Sequence, residues 1–426
     1  MASLAYKTMA SLAYKWTAAV ALVLSLALIA GIWHLGSNSM IACGFFGAFF
    51  IFAGTRPGSK LLLIAAAAGA GYAVCYALLG GPFDRAPLVA LISAGAFLGV
   101  GTITVMACQT IWASPDHPDL RAALRDALVL PAFSLVAGLG MNWANGFPEH
   151  TYDHLLYAFD GVLFSIPPGQ TVTALFRTLP WIAEASSVAY QGLLIFPPLY
   201  RGWALHRGLR NSGVNVLHAF VVAGLAGFVL YQVCPAEGPV YAFGARFPDH
   251  LPNWRDVSLA PYLSAGIHNA IPSMHMTWAL LILWSALELG PLALAMAGAL
   301  TGFTLLATLG SGEHYLVDLV VSVPLACAVW NAFRRDKPRV ALGLGLVCAW
   351  LIYLRSEAFL LCPGIVNWMF IAGTLAAVAT AEYLKNRAIG LDSPLGAREQ
   401  LPGARQGQGF RFLARVGDNS NQRGSR

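Results

Sequence analysis

The stretch "NAIPSMHMTW", residues 269–278, decides how this chain is read. It sets a proline, a serine and a histidine at the mouth of a run that is otherwise apolar. Further on, "GSGEHYLVDLVV", residues 310–321, repeats the arrangement with a tight Gly-Ser-Gly turn, a histidine and an aspartate. Polar, titratable residues at the start of two apolar segments point to chemistry at the end of helices. The surrounding composition says where those helices lie.

The chain has 426 residues, of which 57% are hydrophobic and 11% charged, with mean hydropathy +0.63. A soluble globular chain is about one quarter charged, so this composition belongs to a membrane protein. The apolar residues fall into blocks at 16–35, 40–55, 60–80, 87–113, 126–143, 181–200, 214–234, 274–290, 293–311, 314–333, 338–355 and 364–384. Most are long enough to cross about 30 Å of hydrocarbon as helix. Lipid offers no partner for an unpaired peptide group, so helices are expected rather than open strands. The expectation is an all-α polytopic membrane protein with about twelve transmembrane helices.

A net charge of +6 suggests nucleic acid, but its placement argues against that partner. Lys7, Lys15, Arg56, Lys60, Arg121, Arg125, Arg201, Arg207, Arg210, Arg334, Arg335, Lys337, Arg339, Lys385 and Arg387 fall on one side of a twelve-helix alternation. The other side holds Arg85, Arg177, Arg246, Arg255 and Arg355. This positive-inside pattern puts both termini in the cytoplasm and both histidine motifs at the outer face. The opening repeats one heptapeptide, at 1–7 and 9–15, and the block after it reads as a retained span rather than a signal peptide. The Ala-, Leu- and Gly-rich composition points to a bacterial plasma membrane. Of the seven cysteines, Cys43, Cys75, Cys108, Cys327 and Cys348 lie inside apolar blocks and read as packing residues, and Cys234 and Cys362 read as unpaired thiols.

The polar, proline-containing connection "ASPDHPDLRAALRD" (113–126) marks a module boundary. The expected organisation is an N-terminal four-helix block (1–115), a catalytic membrane core (116–335), two further spans (336–387) and a disordered cytoplasmic tail (388–426). Two long outer segments interrupt the core. "HTYDHLLYAFDGVLF" (150–164) carries Asp153, Tyr157 and Asp160 at helical spacing and is expected to lie as a helix at the membrane surface. "CPAEGPVYAFGARFPDH" (234–250) is irregular and leads into the first histidine motif.

Ser273 is a natural N-cap, which places His275 in the first turn of its helix. Unpaired N–H groups there are suited to a phosphate. His314 opens the second helix, and Asp318, four residues on, can accept from one ring nitrogen and leave the other basic. That is an activated nucleophile with its orienter. The second histidine, at the same depth, can protonate a leaving oxygen. No metal or cofactor is called for.

"PSMH" followed by "GEHYLVD" resembles the second and third signature motifs of the type 2 phosphatidic acid phosphatase superfamily. The resemblance implies a six-helix core within 126–335, with His275 as general acid, His314 as the nucleophile that becomes phosphorylated, and Asp318 as orienter. The superfamily's upstream "KxxxxxxRP" motif has no counterpart. The chain's Arg-Pro is Arg56–Pro57, with Phe49 in the lysine position. This departure, with "TYDHLLYAFD" and "CPAEGPVYAFG", resembles the inositol phosphorylceramide synthase and sphingomyelin synthase branch. That branch implies transfer of a phospho-headgroup between a lipid and an alcohol acceptor.

Phosphoryl transfer still needs a cation. Arg246 is the favoured one, the alternative being a headgroup-facing arginine. Ser273 and Glu313 are further candidates for substrate contact. Asp153 and Asp160 have two readings: they bind acceptor hydroxyls, or they pin the outer helix to the core. Glu184, Tyr190 and Gln191 are placed to line the same cavity. Two other functions stay open beside a lipid phosphotransferase: a lipid phosphatase with water as acceptor, and a transporter or scaffold without catalysis.

Overall fold

The computed structural model describes residues 39–81, 87–112, 118–144, 149–209, 213–264 and 266–392. The apolar block at 16–35 and most of the tail lie outside the described residues. The first helices are α1 (Ser39–Gly54), α2 (Ser59–Leu78), α3 (Pro87–Trp112) and α4 (Pro118–Ala144). Small residues let them approach closely: a Cβ on Gly99 would strike the Phe45 carbonyl, and one on Gly54 would strike the Gly202 backbone. The buried hydroxyls of Thr102 and Thr110 are satisfied within their own helix, donating to the carbonyls of Leu98 and Met106 at 2.8 Å.

Next in chain order come α5 (Asp153–Leu163), α6 (Pro168–Thr178), α7 (Pro180–Gly192), α8 (Phe196–His206), α9 (Val216–Val233), the short α10 (Pro239–Phe243), α11 (Met274–Ala286), α12 (Pro291–Gly310) and α13 (Leu316–Phe333). α14 (Lys337–Arg355), α15 (Ala358–Leu361) and α16 (Gly364–Asp392) end the described chain. The chain divides into two units, Met1–Ala379 and Thr380–Arg426, and of the second only the last turns of α16 are described.

Eight of the described helices are long and apolar enough to cross a membrane, fewer than the dozen expected. α1 and α11 are apolar but shorter. The expected single span at 181–200 is broken. Pro197 and Pro198 lack N–H groups, so the α ladder cannot continue through them, and Leu193–Ile195 tighten into a 3-10 turn between α7 and α8. The long helices expose large apolar side chains, among them Leu78, Val229, Ile352 and Met369, as lipid-facing surfaces do.

α5 differs from expectation in its surroundings. It is a helix, but it does not lie on a surface: Asp153 and the whole run Leu155–Asp160 are buried. Phe159 packs inward against Trp350 and Phe359. Trp254 covers Gly161, and the Tyr157 hydroxyl donates to the Pro252 carbonyl at 2.6 Å. The loop around Trp254 thus roofs the helix, and α13, α14 and α15 floor it. A two-residue antiparallel pairing of His150–Thr151 (β1) with Tyr262–Leu263 (β2) ties the ends of that loop system together.

Candidate active site

Ser273 caps α11 as expected, its Oγ accepting from the Met276 N–H at 3.4 Å. Ser273 is fully buried and serves the fold further: its N–H donates to the Asp318 carbonyl at 3.2 Å, and its carbonyl accepts from the Ser322 hydroxyl at 2.8 Å. The two histidine motifs are thereby bonded to each other through backbone. His275 and His314 face one another with ring centroids 6.4 Å apart. A gap of that scale suits one tetrahedral group, since a near-attack atom stands about 3–3.5 Å from its nucleophile.

The orientation of His314 is more elaborate than i,i+4 spacing suggests. α13 begins at Leu316 with Tyr315 as N-cap, so His314 stands just outside the helix. Its Nδ1 lies 2.9 Å from the Ala270 carbonyl and 3.4 Å from Asp318 Oδ2. A carbonyl can only accept, so Nδ1 carries the proton and Nε2 is left basic. Asp318 is also the capping carboxylate, accepting from the Tyr315 N–H at 2.8 Å. The orienting acceptor nearest His314 is therefore a backbone carbonyl, which no side-chain pattern in the sequence could reveal.

The two aspartates of α5 converge on this turn. Asp153 accepts from the N–H groups of Glu237 (3.0 Å) and Gly238 (2.8 Å), from the Tyr315 hydroxyl (3.0 Å) and from the Thr151 hydroxyl. Asp160 Oδ2 accepts from the Leu316 N–H at 3.0 Å, while its Oδ1 is buried without a partner. Burial pushes the Asp153 carboxyl up to about 6 against the pull of those donors. Burial first, and the negative charge of Asp318 besides, pushes Asp160 up to about 8. Of the two sequence readings, the bonding of both residues matches pinning to the core. The Tyr315 and Leu316 N–H groups at the start of α13 are thus taken by Asp318 and Asp160, whereas the Met276 N–H of α11 meets only the long Ser273 contact.

The loops between α9 and α11 supply parts that the sequence reading did not assign. Glu237 Oε1 accepts from the Gly266 N–H at 2.8 Å and from Ser264, and stands 3.4 Å from Nε2 of the fully buried His268. Burial raises this carboxyl, but the His268, Ser264 and Gly266 contacts outweigh it and hold it below its usual range. The Ala270 N–H donates to the Ala236 carbonyl at 2.8 Å, so the loop carrying the carbonyl behind His314 is fixed on both sides. An acid inside a Pro- and Gly-rich segment was the available signal for Glu237.

The remaining candidates divide. Glu313 is half-buried and accepts from the Tyr190 hydroxyl, and the Tyr190 ring stacks on His275 at 3.8 Å and 19°. Glu184 is exposed, and Gln191 bonds Ser187 at 2.9 Å on the exposed side of α7. Among the arginines expected at the outer face, Arg177 forms a two-pronged pair with Asp249 at 2.7–2.8 Å, Arg255 covers the Trp254 ring, and Arg355 covers Tyr152 and donates to the Val233 carbonyl. Arg246 is exposed and has no side-chain partner among the described residues. Its neighbour Phe247 lies against Gly312, where a Cβ would come within 2.6 Å of the ring. The Arg246 turn is thus docked on the Gly-Ser-Gly-Glu-His turn. Arg56 is elsewhere: it donates to the His206 carbonyl at the end of α8.

None of the seven cysteines is joined in a disulfide. Among the described residues no group of three or more His, Cys, Asp or Glu is placed to hold a metal ion. No curated protein and no solved structure matches the chain at a significant level. Residues 155–332, which carry both histidine motifs, match the family model described as the PAP2 superfamily, and that match supports a phosphatase or phosphotransferase acting on lipid phosphates.

Proposed function

We propose that the chain is an integral-membrane lipid phosphotransferase that works through a phosphohistidine on His314. The observation that carries this reading is the facing pair His275 and His314, with Nδ1 of His314 committed to the Ala270 carbonyl and Asp318. Nε2 of His314 attacks phosphorus and the P–O bond to the first alcohol breaks. His275 gives its proton to the departing oxygen. An acceptor alcohol then attacks the phosphohistidine, His275 takes its proton back, and the P–N bond breaks to release the new phosphoester. Arg246, uncommitted and beside the catalytic turn, neutralises the equatorial oxygens.

Transfer is favoured over hydrolysis because the phosphatase motif "KxxxxxxRP" has no counterpart: Arg56 serves the end of α8. Phosphoinositol is the headgroup implied by the resemblance. The site lies on the extracytoplasmic face. In support, Arg334 follows the last residue of α13, whose 18 residues put it about 27 Å from the His314 end.

The test is purified full-length protein in detergent with a chelator, offered a panel of phospholipids and polyprenyl phosphates with and without inositol and ceramide. A new phosphodiester lipid, made by wild type and lost in His314→Ala, is the expected product. Inorganic phosphate alone, independent of acceptor, makes the protein a phosphatase. Full turnover by His314→Ala on every donor rejects the phosphohistidine.

A further inference from the structure

His314 is aimed by two acceptors, but His275 has no hydrogen-bond partner among the described residues. Its contacts are rings: Trp278 edge-on at 5.9 Å in its own helix, His314 at 6.4 Å, and Tyr190 stacked at 3.8 Å with the planes 19° apart. Only the last is close and face to face. Tyr190 belongs to α7, outside both motifs, and its phenol donates to Glu313, the residue bonded to His314. One side chain therefore touches the first histidine and is tethered to the turn bearing the second.

We infer that Tyr190 is the positioning residue for the general acid: its ring fixes His275 and its tether to Glu313 keeps the two histidines in register. The inference rests on the role given to His275 above. Burial first, and the neighbouring His314 besides, disfavour the protonated His275 ring, and the stacked phenol offsets this by offering its electron-rich face to it. A phenol donating to a carboxylate is richer in electrons still. The other groups around the pair are few. Tyr231 from α9 and Tyr241 from α10 stand near Tyr190, and Asp318 lies behind His314. His218 and Arg201 share Asp126 well away from the pair, His218 standing about 20 Å along α9 from Tyr231.

A general acid matters only when the leaving group needs a proton, and that separates positioning from mere stability. Full-length wild type, Tyr190→Leu, Tyr190→Phe and His275→Ala are compared on two donor probes, each with inositol present as the acceptor alcohol. Dioctanoyl phosphatidic acid loses a glycerol alkoxide, which must be protonated; p-nitrophenyl phosphate loses a phenolate, which need not be. General acids contribute about 10²–10⁴-fold. Tyr190→Leu is expected to lose about 10- to 100-fold on phosphatidic acid and less than about threefold on the aryl ester, following His275→Ala in direction. Tyr190→Phe keeps the stack but loses the tether, and is expected to fall between Leu and wild type on phosphatidic acid. An equal loss on both probes in Tyr190→Leu overturns the inference, as does a Phe variant no better than Leu. If His275→Ala itself shows no selectivity between the probes, or wild type turns over neither, the reading of the site fails and the inference falls with it.

Discussion

Replacing Asp160 with asparagine isolates one buried proton. Asp160 Oδ2 accepts from the Leu316 N–H, and Oδ1 is buried without a donor. An asparagine keeps the accepting oxygen and puts a neutral NH2 where the orphaned oxygen was. Burial and the nearby Asp318 raise the Asp160 carboxyl from 3.8 to about 8. A carboxyl raised on folding stabilises the native state fully below the unfolded value, and that stability is lost as pH rises through the folded value. Each pH unit in that window removes about 1.4 kcal/mol, or about 6 kcal/mol across the whole of it. Between pH 5 and 8 the Asn variant should therefore gain about 4 kcal/mol on wild type, and the difference should level off above 8. Groups titrating alike in both proteins cancel in the difference. Intrinsic tryptophan fluorescence during thermal unfolding in detergent, at half-unit pH steps from 5 to 9, reads it directly. Parallel curves, or an Asn variant that loses ground as pH rises, would refute the reasoning, because either result means that Asp160 is held ionised.

Two further outcomes follow from the same geometry. Gly238→Ala places a Cβ onto the Glu313 carbonyl at φ +98°, and should cost about 1–3 kcal/mol or more. It should lower the melting temperature and turnover together, and an unchanged melting point would show that the 238 turn is not clamped on the catalytic turn. Arg246→Ala should lower kcat/KM on phosphatidic acid by about 10- to 100-fold, the worth of a charged hydrogen bond, with Arg246→Lys recovering part of it. A fully active Arg246→Ala would leave the phosphate cation to another residue.

The sequence carried the motifs and the helices that end in them. Ser273 as a cap, His275 in a first turn and His314 at a helix entrance are all legible, because capping residues and apolar periodicity act locally. What escaped is long-range and made by backbone. The Ala270 carbonyl on His314, the Glu237 and Gly238 N–H groups on Asp153, and the Leu316 N–H on Asp160 have no side-chain signature at one end. α5 was recognisable as a helix from its spacing, but its burial depends on a roof of loop and a floor of three other helices. The break at 193–195 was foreseeable from Pro197 and Pro198, yet the apolar run around them reads as continuous. Tyr190 drew notice only as a cavity residue, since nothing in the chain announces which ring will stack on which.

The bonding of Asp153 has a consequence for how this protein tolerates change. Its carboxylate reads the main chain of residues 237 and 238, and a main-chain N–H is the same whatever side chain it bears. Substitutions that keep the 235–240 path can therefore accumulate without loosening the catalytic turn. Asp153 enjoys no such freedom, and neither does Gly238, whose backbone angle and clearance admit little else. In a library randomised over this loop and over Asp153, function should survive at scattered loop positions and fail sharply at Asp153 and Gly238. Glu237 should vary only in company with His268.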